Sequence, residues 1–171
     1  RGGWERPSWF QPKTGGVSTD LRFGKPHWFN CVAREHRAAR EAVAIFDQTS
    51  FGKLLVQGRD AASFLDRVCA SRLDVPPGRV TYTPILNHRG GYESDVVAMR
   101  LREDAYLIVT GSGQQVRDLH LLRRHIGPDE FVTLADMTSA YAVIGIMGPN
   151  ARDLLTLLSP NDLSNEAFPY M

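Results

Sequence analysis

The sequence predicts an α+β fold, a mainly antiparallel sheet with flanking helices. Three observations predict it. Residues Val80–Leu86 and Tyr92–Leu101 alternate in hydrophobicity on either side of Asn87-His88-Arg89-Gly90-Gly91, the pattern of a β-hairpin. Segments of helical period flank such strands without the strict β-α-β-α order of a doubly wound parallel sheet. Hydrophobic residues make up 43% and charged residues 23% of the 171-residue chain, ordinary globular usage that supplies a core without disulfide or metal staples.

Taken in order, residues 1–26 form an aromatic arm punctuated by Gly and Pro. Trp4, Pro7, Trp9, Phe10, Pro12, Gly15 and Gly16 follow neither structural period, and so many aromatics imply docking on a neighbouring surface. From Trp28 to Val43, apolar residues recur at helical spacing (Trp28, Phe29, Val32, Ala39, Val43). Lys53–Gln57 reads as a strand. Asp60 is placed as the N-cap of a helix that buries Phe64, Leu65 and Val68. Pro76-Pro77-Gly78 turns the chain into the hairpin. A strand Tyr106–Thr110 follows, then Gly111-Ser112-Gly113 and a helix carrying Val116, Leu119 and Leu122 that ends at Gly127-Pro128. Strands at Phe131–Leu134 and Tyr141–Met147 and a helix from Pro149 to Leu158 complete the order, with Pro149 suited to a first helical turn.

Charge and cysteine usage narrow the function. Twenty basic residues against nineteen acidic ones argue against a dedicated nucleic-acid binder. No apolar run reaches the ~18–20 residues of a membrane span, so no membrane partner is expected. Cys31 and Cys69 are far apart and form no C-x-x-C pair, which points to reduced thiols. His120 and His125 are five apart on a helix, unlike a metal pair, and no metal is assigned. No Gly-x-Ser-x-Gly elbow supports serine hydrolysis. The chain opens Arg-Gly-Gly without Met and stops at Phe168-Pro169-Tyr170-Met171, so it is expected to be a section of a longer polypeptide.

Asp95 is the most informative residue. Period two places Asp95, Val97, Met99 and Leu101 on one face of their strand, three of them apolar. Placing even a neutral polar group in apolar surroundings costs roughly 2–7 kcal/mol unless it is paired. Such a carboxyl is expected to have a raised pKa, suited to accepting a proton or anchoring an N–H-rich ligand. A structural Asp that holds backbone N–H groups or an arginine fits the same pattern. Gly111-Ser112-Gly113 offers N–H groups ahead of a helix, but a tight turn explains it equally, and Val116 stands where a dinucleotide fingerprint needs its third glycine.

The motifs Ala44-Ile45-Phe46-Asp47-Gln48-Thr49-Ser50-Phe51-Gly52-Lys53, Leu86-Asn87-His88-Arg89-Gly90-Gly91-Tyr92-Glu93-Ser94-Asp95 and Val143–Pro149 resemble the aminomethyltransferase (glycine-cleavage T-protein) family. Gly3-Trp4-Glu5-Arg6-Pro7, Leu107–Asp118 and Leu163-Ser164-Asn165-Glu166-Ala167-Phe168-Pro169 are similar to its flavin-linked branch. That branch holds dimethylglycine and sarcosine dehydrogenases and oxidases, and a non-catalytic relative, the regulatory subunit of pyruvate dehydrogenase phosphatase.

The resemblance implies an FAD domain upstream that oxidises an N-methyl amine to an iminium, and a folate domain that passes the carbon to tetrahydrofolate. It implies residues 1–26 as an arm joining a preceding flavin or cap domain, and 27–171 as the N-terminal portion of the folate domain. By the same resemblance Asp95 is the catalytic carboxylate that contacts folate, and Phe51, Tyr82 and Val109 line the folate pocket. Partners would be folate, the iminium and the rest of the parent polypeptide. The compartment would be the bacterial cytoplasm, or the mitochondrial matrix in a eukaryote. The second half of the folate domain has no counterpart here, so the isolated chain is expected to bind folate weakly and to be inactive. The alternatives are a non-catalytic regulator and a flavin-free folate enzyme, the latter disfavoured by the Trp4–Pro7 arm.

Overall fold

A computed structural model describes residues 3–5, 7–10 and 23–170. The chain divides into two compact units, one of Gln48–Val143 and the other of Gly3–Asp47 with Ile144–Tyr170.

The first unit is built on a five-stranded antiparallel sheet of β2 (Gly52–Gln57), β3 (Val80–Leu86), β4 (Tyr92–Arg102), β5 (Ala105–Thr110) and β6 (Thr133–Asp136), in the order β3-β4-β5-β2-β6. Helices α2 (Ala61–Val68) and α3 (Gln115–Arg124) supply apolar side chains to one face of it. Leu54 and Val56 of β2, Ile85 of β3, Val96 and Ala98 of β4, and Tyr106 and Ile108 of β5 meet Phe64, Leu65, Leu121 and Leu122 in one core. Period two puts each strand's contributors on the same side, and the helical stripe 61, 64, 65 closes over them. Two buried polar groups tie loops to this core. The Tyr106 phenol donates to the Leu73 carbonyl at 2.9 Å. The Arg100 guanidinium donates to the Asp74 carboxylate, to the Val75 and Glu103 carbonyls and to the Glu103 carboxylate.

The hairpin, the antiparallel pairing and the order of the predicted elements hold. Asp60 does occupy the N-cap position of α2 but makes no side-chain cap bond. Its Oδ2 instead accepts from the Phe131 N–H at 2.8 Å, fastening the approach to β6. Gly58, at φ +143°, is required there, since a Cβ would lie 1.8 Å from the Phe131 carbonyl oxygen. β6 begins two residues later than the predicted Phe131 start, because residues 131 and 132 are spent on this crossing.

The second unit contains α1 (Phe29–Glu41), a two-stranded antiparallel ribbon of β1 (Ala44–Asp47) and β7 (Ile144–Met147), and α4 (Ala151–Thr156). β1 has no counterpart in the sequence reading. It exists because β7 pairs with it residue for residue, Ala44 with Met147 through Asp47 with Ile144, a long-range match that local pattern does not carry. β7 is shorter than the predicted Tyr141–Met147, and α4 lies inside the predicted Pro149–Leu158. In the described part of the arm, Trp9 is docked and Phe10 is exposed. The Trp9 ring stacks on Trp28 with centroids 4.3 Å apart, and His27 meets both rings edge-on. Pro12, Gly15 and Gly16 lie outside the described residues.

Candidate functional site

The register brings three of the four predicted residues, Tyr82, Asp95 and Val109, to one face of the five-stranded sheet. Tyr82 of β3 pairs with Val97 of β4, Val97 with Val109 of β5, and Val109 with Lys53 of β2, so one row crosses four strands. Asp95 stands two residues before Val97 and therefore on the same face. Tyr82 and Asp95 meet directly, the phenol donating to Asp95 Oδ2 at 2.8 Å. That bond, with smaller contributions from burial and from the charges of Asp95 and Tyr92, raises the Tyr82 phenol above its ordinary value. Val109 is half-buried one strand from Val97. Phe51 lies in the turn ahead of β2, half-buried, its N–H bonded to the Gln48 carbonyl at 3.0 Å.

One expectation is corrected. Asp95, Val97 and Met99 do share a face, but it is the open one: Asp95 is exposed, and Val97 and Met99 are half-buried. The desolvation invoked for the carboxyl has no basis in this arrangement. Leu101 falls at a register irregularity between Arg100 and Arg102 and is exposed. The buried face of β4 is the other one, Ser94, Val96, Ala98 and Arg100. Its polar ends disguise it in the sequence, because the partners that satisfy them come from α3 and from the loop ahead of β3.

Those partners include residues that sequence reasoning missed. Asp118 of α3 is fully buried behind Asp95. It accepts from Ser94 Oγ at 2.7 Å and from Thr110 Oγ1, and Arg117 Nε stands 3.4 Å from its other oxygen. Ser94 Oγ also lies 3.0 Å from Gln114 Oε1. This cluster pins β4, β5 and α3 together at the level of Asp95. The available signal was helical spacing, since Asp118 shares a stripe with Leu121 and Leu122.

At the β2 end of the row, Lys53 is fully buried. Its ammonium donates to the carbonyls of Thr49 at 2.7 Å and Tyr141 at 2.9 Å. Burial lowers its pKa, with Asp136 acting in the opposite sense. At the β3–β4 end, Asn87 organises the hairpin turn. Its Oδ1 accepts from the N–H groups of Arg89 and Gly91, and its Nδ2 donates to Glu93 at 3.1 Å. Gly90, at φ +77°, supplies the left-handed position.

Chemically, the site is an apolar floor of Val97, Met99 and Val109 with one oriented carboxylate at its rim. It can seat a flat ring system and accept an N–H from it. Gly111-Ser112-Gly113 is a turn in which the Gln114 N–H bonds the Gly111 carbonyl and Ser112 Oγ meets Ser50 Oγ at 2.9 Å. Among the described residues there is no cluster of three or more His, Cys, Asp or Glu that could hold a metal ion, and no helix is long and apolar enough to cross a membrane.

Comparison with known proteins gives consistent findings. A family model described as GCVT N-terminal domain matches residues 1–171. The chain is 39% identical to 4-methylaminobutanoate oxidase (formaldehyde-forming) from Paenarthrobacter nicotinovorans, over 98% of this chain and 20% of that protein. It is 33% identical to the mitochondrial pyruvate dehydrogenase phosphatase regulatory subunit of Mus musculus, over 98% of this chain and 20% of that protein. With the mitochondrial dimethylglycine dehydrogenase of the same animal it shares 30% identity, over 99% of this chain and 19% of that protein. The crystal structure of glycine cleavage system aminomethyltransferase T from Bartonella henselae superposes with a TM-score of 0.68 at 24% identity, covering 74% of this chain and 34% of that one, which shows a shared fold. The chain spans about a fifth of the length of these curated relatives.

Proposed function

The chain belongs to the GCVT N-terminal domain family, and on that premise we propose that it forms part of a folate-dependent one-carbon transfer domain. The domain serves an FAD-linked N-methyl amine dehydrogenase or oxidase of the dimethylglycine or sarcosine type, with residues 1–26 as the join and 27–171 as the first portion of the folate domain. The observation that carries the reading is the Tyr82–Asp95 pair on the open face of an apolar floor. A flat pterin needs such a floor, and its amine nitrogens need an N–H acceptor at the rim.

In this reading tetrahydrofolate is the carbon acceptor, supplying two secondary amine nitrogens that take up the methylene carbon of the iminium. The demethylated amine, secondary from dimethylglycine and primary from sarcosine, leaves with one of the two N–H protons, and the other is released. Asp95 receives the released proton or holds the N–H that carries it, while Val97, Val109 and Phe51 exclude water from the reacting edge. The described residues do not fit FAD. The β5–α3 turn lacks the third glycine, and β5 pairs only with antiparallel neighbours. The oxidation is therefore assigned to another part of the polypeptide. Bacterial cytoplasm or mitochondrial matrix suits this reaction, and the relatives include mitochondrial proteins.

The test uses the polypeptide that carries this chain, supplied with dimethylglycine, sarcosine or 4-methylaminobutanoate and reduced folate. Asp95→Ala is expected to slow formation of methylene-tetrahydrofolate at least tenfold and to leave flavin reduction intact. Equal loss of both steps would contradict the role of Asp95. A second reading, a regulator without chemistry, draws on the 33% identity to the phosphatase regulatory subunit. It predicts that the unaltered polypeptide bleaches no flavin and transfers no carbon.

A further inference from the structure

We infer that Tyr82 is a positioning residue for carbon transfer: its phenol fixes Asp95 through Oδ2, so that Oδ1 is the oxygen offered to the acceptor's N–H. This inference rests on the folate reading above.

The residue directly across the ladder from Asp95 is Pro84. Proline has no N–H and no donor in its side chain, so the cross-strand partner cannot hold the carboxylate. Tyr82 sits two residues back on the same strand, opposite Val97. That makes it the diagonal neighbour of Asp95, at a separation that only a long or aromatic side chain spans. The phenol reaches Asp95 Oδ2 at 2.8 Å, and among the described residues Oδ1 has no hydrogen-bond partner. An exposed Asp without this bond would sample several staggered rotamers. With it, one oxygen is committed to the protein and the other has a fixed direction. The face behind is tied together by hydrogen bonds, because Ser94 and Thr110 both donate to the buried Asp118. The bond also explains why a hydroxyl is present at a position where pocket lining alone would be served by Phe.

The experiment is a double-mutant cycle in the polypeptide that carries this chain. Single-turnover formation of methylene-tetrahydrofolate is measured with (6S)-tetrahydrofolate and an N-methyl amine, with flavin bleaching as the internal control. Y82F is expected to lower the transfer rate about tenfold, the scale of losing one hydrogen bond to a charged group, with KM for the folate within about twofold of wild type. Y82L, which also removes the ring, is expected to raise that KM. The Y82F effect is expected to vanish in a D95N background, since the phenol acts only through the carboxylate. An effect of full size in that background, or a wild-type transfer rate in Y82F, would overturn the inference while leaving the folate reading intact. A wild-type transfer rate in D95N would remove the role of Asp95 and the inference with it, whereas no transfer by the unaltered polypeptide would remove the folate reading itself. A measurement independent of turnover is phenolate absorbance, with Y82F as the blank. Asp95 and Tyr92, both on β4, are the ionisable groups that raise the phenol. D95N is therefore expected to shift Tyr82 ionisation to lower pH, and an unchanged midpoint would show that the contact does not exist in solution.

Discussion

Asp95 shows what a single residue discloses and what it conceals. Its type and parity were legible, because strand period alone places it beside Val97 and Met99. Whether that face is buried was not, because burial depends on α2 and α3 packing on the opposite side. Asp118 was concealed for the complementary reason: an acidic residue in the first turn of a helix reads as a favourable surface charge, yet it is the buried one. Asp118→Ala would leave two hydroxyls without their acceptor. It is expected to cost about 3 kcal/mol, lowering Tm by roughly 6–12 °C in a thermal melt followed by circular dichroism. The thiols separate by environment too. Cys69 is buried, and desolvation, together with the charge of Asp66, pushes its pKa up to about 12. Thiolate is the reactive form, so iodoacetamide at pH 8 is expected to label the half-buried Cys31 in the native chain and Cys69 only in denaturant, as peptide mapping would show.

Elements were read correctly where their signal is local, and shifted where a crossing consumed residues. The hairpin was legible because its turn chemistry and alternation lie within one stretch. The start of β6 was not, because Asp60 and Gly58 hold Phe131 and Val132 from a distant part of the chain. Gly58→Ala would force a Cβ into the Phe131 carbonyl and is expected to destabilise by about 3 kcal/mol, visible as a lower urea midpoint. The same connection is stapled to α2 by Glu130, which accepts from the Gly127 N–H at 2.7 Å and from Arg67 at 2.6 Å. The Gly127 bond first, and Arg67 second, hold the Glu130 carboxyl below its ordinary 4.5. A carboxyl held low in the folded state adds stability above its unfolded value. That contribution is lost as pH falls below about 4.5 through the folded value. Glu130→Gln is therefore expected to be less stable than wild type at pH 7, with the difference narrowing as pH falls below 4.5, measured by urea unfolding at a series of pH values.

At the scale of the whole molecule, the chain is two compact units and about a fifth of the length of its curated relatives. The proposed folate face is open on the side of Asp95, with the floor half-exposed. A flat ligand gripped from one side gains little over its loss of freedom. The 171-residue chain alone is therefore expected to bind (6S)-tetrahydrofolate more weakly than micromolar in a calorimetric titration. Sub-micromolar binding would show that the site is complete within these residues. The sequence by itself determined the fold class, the hairpin and the family, because each is encoded in short-range pattern or contiguous motif. Only the tertiary structure decided that β1 exists, that Asp118, Lys53 and Arg100 are buried, and that Tyr82 grips Asp95. These depend on which strands pair and in what register, and pairing energies accrue between residues far apart in the chain, where local pattern carries no information.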